Sequence, residues 1–224
     1  MDTSGARSRR ARWAGAAYLG YIAVTIAATA VLGAVVVDDD GATVGAFHDR
    51  PGLVGLAVVL DAGAAVLFLV TAWTLYRLLR DVRSGVALLF VLLNAAGVAI
   101  QGAAAGALAA ARAVGGEEGA DPATVLLLVD LHAEGFVVAQ FFYAAWLLPL
   151  GYLVLTSGFL PRWLGYLLIV ESGAWMLYPL QHLLAPGADW LVYASSAVGF
   201  AGEFGLALWL LVRGTRETAR VART

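Results

Sequence analysis

The sequence predicts an all-α fold, a bundle of six transmembrane helices with both termini on the cytoplasmic side. Three observations predict it. The composition is 61% hydrophobic and only 13% charged, with a mean hydropathy of +0.82, whereas soluble domains carry about 25% charged residues. The apolar residues gather into runs of about 20 or more, the length a helix needs to cross a hydrocarbon core about 30 Å thick at 1.5 Å per residue. The arginines segregate to alternate loops, as the positive-inside rule requires.

Residues 1–12 hold Arg7, Arg9, Arg10 and Arg12, and the first apolar run extends over 13–37. It is too long for a secretory signal core and ends in Val35-Val36-Val37 before Asp38-Asp39-Asp40, so it reads as an uncleaved span. The same length argues against a twin-arginine export signal at Ser8-Arg9-Arg10. Asp38 to Gly52 reads as a polar loop broken by Gly41, Gly45, Pro51 and Gly52. The second span covers 53–75 and the third 86–110, separated by Arg77, Arg80 and Arg83 and followed by an acidic loop with Gly115, Gly116, Glu117, Glu118 and Pro122.

The apolar stretch from Thr124 to Thr156 is too long for one untilted crossing. Gly135 is the expected break, giving a short outer helix over 124–134 and the fourth span over 136–156, with Pro149 as an expected kink. The turn Ser157-Gly158-Phe159-Leu160-Pro161-Arg162 leads into the fifth span, 163–184. The loop at Ala185-Pro186-Gly187 leads into the sixth, 190–212, and the tail carries Arg213, Arg216, Arg220 and Arg223. With a cytoplasmic N-terminus, only Arg50 and Arg112 of the 14 basic residues, all arginine, fall outside. The whole chain, 1–224, reads as one membrane domain of the cell membrane.

Leu131-His132-Ala133-x-Gly135-Phe136, Ser157-Gly158-Phe159-Leu160-Pro161-Arg162-Trp163-Leu164-Gly165 and Gly202-Glu203-x-x-Leu206-Ala207-Leu208-Trp209 carry a resemblance, joined by Arg12-Trp13-Ala14-Gly15 and Leu75-Tyr76-Arg77-Leu78-Leu79-Arg80. Together they resemble the bacterial integral-membrane family catalogued as domain of unknown function 4386. The resemblance spans nearly the whole chain and implies a six-helix membrane protein, without an activity. One departure is Glu134, where the family tends to place an aromatic residue between the histidine and the glycine.

Ionisable groups within hydrocarbon are costly, about 3 kcal/mol on insertion scales, and usually face a partner or a wet cavity. Asp61, Asp130, Glu134, Glu171 and Glu203 fall inside or at the edge of predicted spans, with His132, His182, Asn94, Gln101, Gln140 and Gln181. Helical spacing places Glu171, Trp175, Tyr178 and His182 on one stripe, and Ser196, Gly199 and Glu203 on another with Gly202 beside the carboxylate. Asn94 and Gln101 share a face of the third span, where Gly102 and Gly106 are an expected close-packing pair. In a helix continuous through Gly135, His132 and Gln140 would align while Asp130 and Glu134 point elsewhere.

Asp61 lies roughly 12 Å below the outer boundary at helical rise. Gln101, His132 and His182 share that half, Glu203 is near mid-depth, and Glu171 is expected closer to the cytoplasm. The expectation is an outward-opening polar pocket floored by Glu203 and flanked by Asp61, Gln101, His132 and His182. In it Glu203 or Asp61 would donate a proton and His132 accept one. Asn94, Asp130, Glu134, Trp175 and Tyr178 are further candidates for ligand contact. Alongside this stand interhelical hydrogen bonds for Asn94 and Gln101, worth about 0.6 kcal/mol each, and wetted headgroup positions for Asp130, Glu134 and His182.

No H-x-x-x-H or H-E-x-x-H spacing supports a metal, and no P-loop, dinucleotide fingerprint or nucleophile elbow supports a cofactor or a hydrolase. The arginines follow topology, which leaves nothing for nucleic acid. The expected partners are the lipid bilayer and an apolar or amphipathic small molecule; Gly102 and Gly106 would serve packing within one bundle or in a homo-oligomer. Three functions remain: a pocket with acid–base isomerase or cyclase chemistry on a lipid or isoprenoid, a proton-coupled small-molecule transporter, and a scaffold subunit without ligand. The transporter lacks the inverted repeat usual for alternating access.

Overall fold

The computed structural model describes residues 3–188, 190 and 201–215. Every element among them is an α-helix: α1 Thr3–Leu32, α2 Asp40–Asp49, α3 Pro51–Leu79, α4 Ser84–Gly115, α5 Pro122–Thr156, α6 Arg162–Leu184 and α7 Ala201–Val212. Four of these, α1, α3, α4 and α5, are long and apolar enough to cross a membrane. Their outward faces carry Val59, Val66, Leu92 and Leu127, all exposed. So much exposed aliphatic surface marks a face whose solvent is lipid, and the protein is a multi-pass membrane protein. Ser196, Gly199 and Phe200 of the expected sixth run, and Arg216, Arg220 and Arg223, lie outside the described residues.

Each long helix packs on the next in the chain, α1 on α3, α3 on α4, α4 on α5, α5 on α6 and α6 on α7, and α7 returns to α1. That last contact needs Gly15: a Cβ there would stand 2.5 Å from the Leu211 backbone nitrogen and 2.6 Å from the Ala207 carbonyl oxygen. The core inside this ring is aromatic. Tyr18, Phe68, Phe90 and Trp146 are almost fully buried, with Phe68 edge-on to Trp146 at 4.9 Å.

Three expectations are corrected. The segment Asp38 to Gly52 contains a helix, α2, and is not only a polar loop. Asp39 caps it, its side chain accepting from the Ala42 N–H at 2.6 Å, and Thr43, Ala46 and Phe47 form a buried face at helical spacing. Phe47 belongs to a second core cluster with Val35, Val54, Leu108 and Val125, so α2 closes one end of the helices around it.

The break expected at Gly135 is absent, and α5 runs unbroken for 35 residues. Asp121 caps its start, accepting from the N–H groups of Ala123 and Thr124, and Pro122 occupies the first turn, where its missing donor costs nothing. Gly135 serves packing: a Cβ there would lie 2.8 Å from that of Ala104 on α4. Gly102 and Gly106, the expected close-packing pair, are both exposed with no neighbour within 4 Å. The inward face of α4 instead carries Asn94, Gly97, Gln101, Ala104, Leu108 and Ala111, repeating every three or four residues; Gly102 and Gly106 lie off that stripe.

Candidate functional site

Six helices contribute to the polar interior, α3, α4 and α5 on one side and α1, α6 and α7 on the other. On the first side, Asp61 (α3), Gln101 (α4), and His132 and Tyr143 (α5) meet, all buried. The Tyr143 hydroxyl donates to Gln101 Oε1 at 2.6 Å, and Gln101 Nε2 donates to Asp61 Oδ1 at 2.7 Å. His132 Nδ1 stands 3.9 Å from Asp61 Oδ2. The bonds run in one direction, from the Tyr143 hydroxyl through the Gln101 amide to Asp61, since an amide oxygen accepts and its NH2 donates. Gly97 makes this register fit, because a Cβ there would lie 2.5 Å from the Tyr143 ring.

On the opposite side, the Tyr18 hydroxyl of α1 donates to Glu203 Oε1 of α7. Glu171 of α6 lies beside them, fully buried. Its carboxyl occupies the niche left by the missing side chain of Gly202. Neither of its oxygens makes a hydrogen bond of ordinary geometry; the nearest donors are the backbone N–H groups of Glu203 and Gly202 and the Trp175 indole. Glu171 is therefore not set apart toward one face, as expected, but meets Glu203 across the α6–α7 contact.

Between the two groups is a cavity of about 670 Å³. Gln101 and Tyr143 reach it from the first group and Glu203 from the second. Tyr21, Phe68, Trp146, Trp175 and Tyr178 supply aromatic wall, with Tyr21 stacked on Phe68 at a centroid distance of 4.1 Å.

The candidates from sequence thus separate. Asp61, Gln101 and His132 come together, Glu203, Trp175 and Tyr178 line the cavity, and Asp61 and His132 stand behind Gln101. Asn94 is fully buried on α4, and neither of its amide atoms has a partner among the described residues. Asp130 is exposed; Glu134 is exposed too, and pairs with His182 at 2.9 Å across α5 and α6. Sequence reasoning missed Tyr18 and Tyr143, and had no partner for Glu171. A signal existed for α1, where Tyr18, Ile22, Thr25 and Thr29 repeat at helical spacing. Nothing in sequence marks Tyr143 apart from Gly97, a helix away.

The family described as domain of unknown function DUF4386 matches residues 13–214. The chain belongs to this family. The resemblance seen in the motifs around His132, Pro161 and Glu203 is therefore that of a true member. An uncharacterised protein of Archaeoglobus fulgidus is 32% identical over 83 residues, which are 37% of this chain and 48% of that relative. The chain thus spans about half the length of that relative. No solved structure matches the chain significantly. Within this DUF4386 member, the Tyr18, Glu171 and Glu203 group joins α1 to α6 and α7 at the other end of the described chain.

Proposed function

We propose that the chain crosses the cell membrane six times with both ends cytoplasmic, and that the interior cavity binds an apolar or amphipathic small molecule. The observation that carries the binding reading is the cavity, an aromatic space of about 670 Å³ with polar groups at two walls. Its size falls within the roughly 300–1,000 Å³ usual for small-molecule sites. Thr29 and Ala30 of α1, Phe136 of α5 and Tyr178 of α6 line it, and all belong to the halves of their helices away from the arginine-rich ends. Under the positive-inside assignment that half is the outer one, so the ligand enters from outside.

Acid–base chemistry on a bound lipid or isoprenoid would use the Glu203 carboxyl as proton donor, with Tyr18 holding its orientation. The Asp61 and His132 pair would act through Gln101 and Tyr143, whose polar atoms connect it to the cavity. Against a scaffold subunit without ligand stands the open space itself, since interiors pack to crystal-like density and leave few voids larger than water. A second reading, proton-coupled transport of the same small molecule, draws support from the two acids Glu171 and Glu203 side by side, since buried carboxyl groups are the usual carriers of proton relays.

The test is native mass spectrometry of the protein in lipid nanodiscs, together with solvent extraction. A retained apolar molecule is expected in the parent. Its occupancy should fall at least tenfold in Thr25→Phe, which fills the cavity wall. Equal retention by the parent and this variant would remove the pocket reading. Uptake driven by a pH gradient in proteoliposomes, abolished in Glu171→Gln, would select the transporter over the enzyme.

A further inference from the structure

The interior of the bundle is unbalanced in charge. Its described carboxyl groups are Asp61, Glu171 and Glu203, and its one buried basic group, His132, stands by Asp61. The arginines belong to the helix ends: Arg112 donates to the Pro51 carbonyl at 2.8 Å, and Arg80 pairs with Asp81 at 3.8 Å. Among the described residues no arginine or histidine makes an ion pair with Glu203 or Glu171. The acid that lines the cavity therefore has a tyrosine hydroxyl as its partner and no cation from the described residues.

The walls beside it suit a cation in a second, independent way. Trp146, Trp175, Tyr21 and Tyr178 present rings to the same space as Glu203. Aromatic faces carry negative quadrupole potential, and rings gathered about an acid are how proteins hold alkylated ammonium groups. The lining also carries aliphatic side chains, Ile22 and Ile26 of α1, beside Thr25 and Thr29. Ile26 is itself exposed on the outer face of the bundle, so this part of the cavity continues toward lipid.

Resting on the pocket reading above, the geometry points to an amphipathic organic cation as the ligand: a substituted ammonium head between Glu203 and the aromatic rings, with its alkyl tail along Ile22 and Ile26. An anionic amphiphile meets the Glu203 carboxyl and π-faces with no basic group among the described lining residues, and a neutral one leaves Glu203 without a counter-charge.

The experiment compares three probes of equal chain length, decyltrimethylammonium, decanol and decyl sulfate, titrated into the parent protein in nanodiscs. Protein-free nanodiscs are subtracted to remove partitioning into lipid. The ammonium is expected to bind at least tenfold more tightly than decanol, with no decyl sulfate bound. Glu203→Gln should bring the ammonium to the level of decanol and leave decanol unchanged, while Glu203→Asp keeps the preference. If Glu203→Gln does not fold, Trp175→Leu replaces it and should weaken the ammonium several-fold more than decanol. Equal binding of ammonium and decanol to the parent, or equal loss of both in Trp175→Leu, overturns the cation assignment and leaves an apolar pocket standing. Failure of all three probes to exceed the protein-free control overturns the pocket reading, and this inference with it.

Discussion

The Asp61 group and the Glu203 group hold their acids in opposite ways. Around Asp61, each polar atom of Gln101 is used, the tyrosine donates inward, and a histidine stands opposite the free carboxyl oxygen. Around Glu203, one tyrosine hydroxyl is the side-chain donor and a second carboxyl, Glu171, crowds the same helix contact. The first arrangement gives its acid an amide donor and a neighbouring imidazole, and ties α3, α4 and α5 together. The second sets an acid with no basic partner among the described residues at the wall of a cavity. Buried polar groups that bond to one another are explained by packing; acids held together without a counter-charge either stay protonated or take a cation from outside, and Glu203 is the one of them that lines the cavity.

Substitutions can break this contrast. The largest effect is expected for Gln101→Leu, which strands both the Tyr143 hydroxyl and Asp61 Oδ1. A loss of about 3 kcal/mol is expected, above the ~0.6 of a single interhelical bond because two buried groups lose their partner. Reversible unfolding in mixed micelles would measure it, and a loss below about 1 kcal/mol would show that the network is not what ties these helices. Next comes Gly202→Ala, whose Cβ would displace the Glu171 carboxyl and press on the Leu168 backbone nitrogen at 3.2 Å. Overpacking of this kind costs about 1–3 kcal/mol. The companion Glu171→Ala should restore part of it, and strict additivity of the two would remove the proposed contact.

Glu171→Gln is expected to change stability by less than about 1 kcal/mol or to raise it, because replacing a buried acid that lacks a counter-charge removes a cost. Asp61→Asn, in contrast, should destabilise, since His132 then loses its acid. If the two substitutions behave alike, the distinction between the groups fails.

The smallest effect is at the start of α5. The Thr124 hydroxyl, followed by the backbone N–H of Ala123, holds the exposed Asp121 carboxyl below the usual aspartate range. A carboxyl with a depressed folded value stabilises the fold above its unfolded value, about 3.9, and that contribution disappears as pH falls through the folded one. Protection of the Ala123 and Thr124 amides, measured relative to their intrinsic exchange rates, should therefore be high at pH 5 and fall below about pH 4. In Asp121→Ala it should be low at both; a pH-independent parent would refute the cap.

The long helices were legible in sequence because the bilayer reads length and hydropathy, both local properties. The corrected elements share a cause. Gly135 looks like a break to a reader of local propensity, yet its missing side chain is used by Ala104, and α2 looks like a loop until Phe47 is seen to have Val125 and Gly115 to pack on. Of the site, the acids and histidines announced themselves because hydrocarbon makes them expensive, whereas the tyrosines did not, since a tyrosine is unremarkable in a membrane helix.

By itself, then, the sequence determined that this chain is helical, meets lipid and keeps several titratable groups at depth, because residue type and run length suffice for those conclusions. Tertiary structure alone decided which groups meet. Asp61 finds Gln101 and Tyr143 across successive helices, and Glu203 finds Glu171 on the preceding helix and Tyr18 at the other end of the chain, where the rotation and separation of each pair are set by which face carries glycine or alanine.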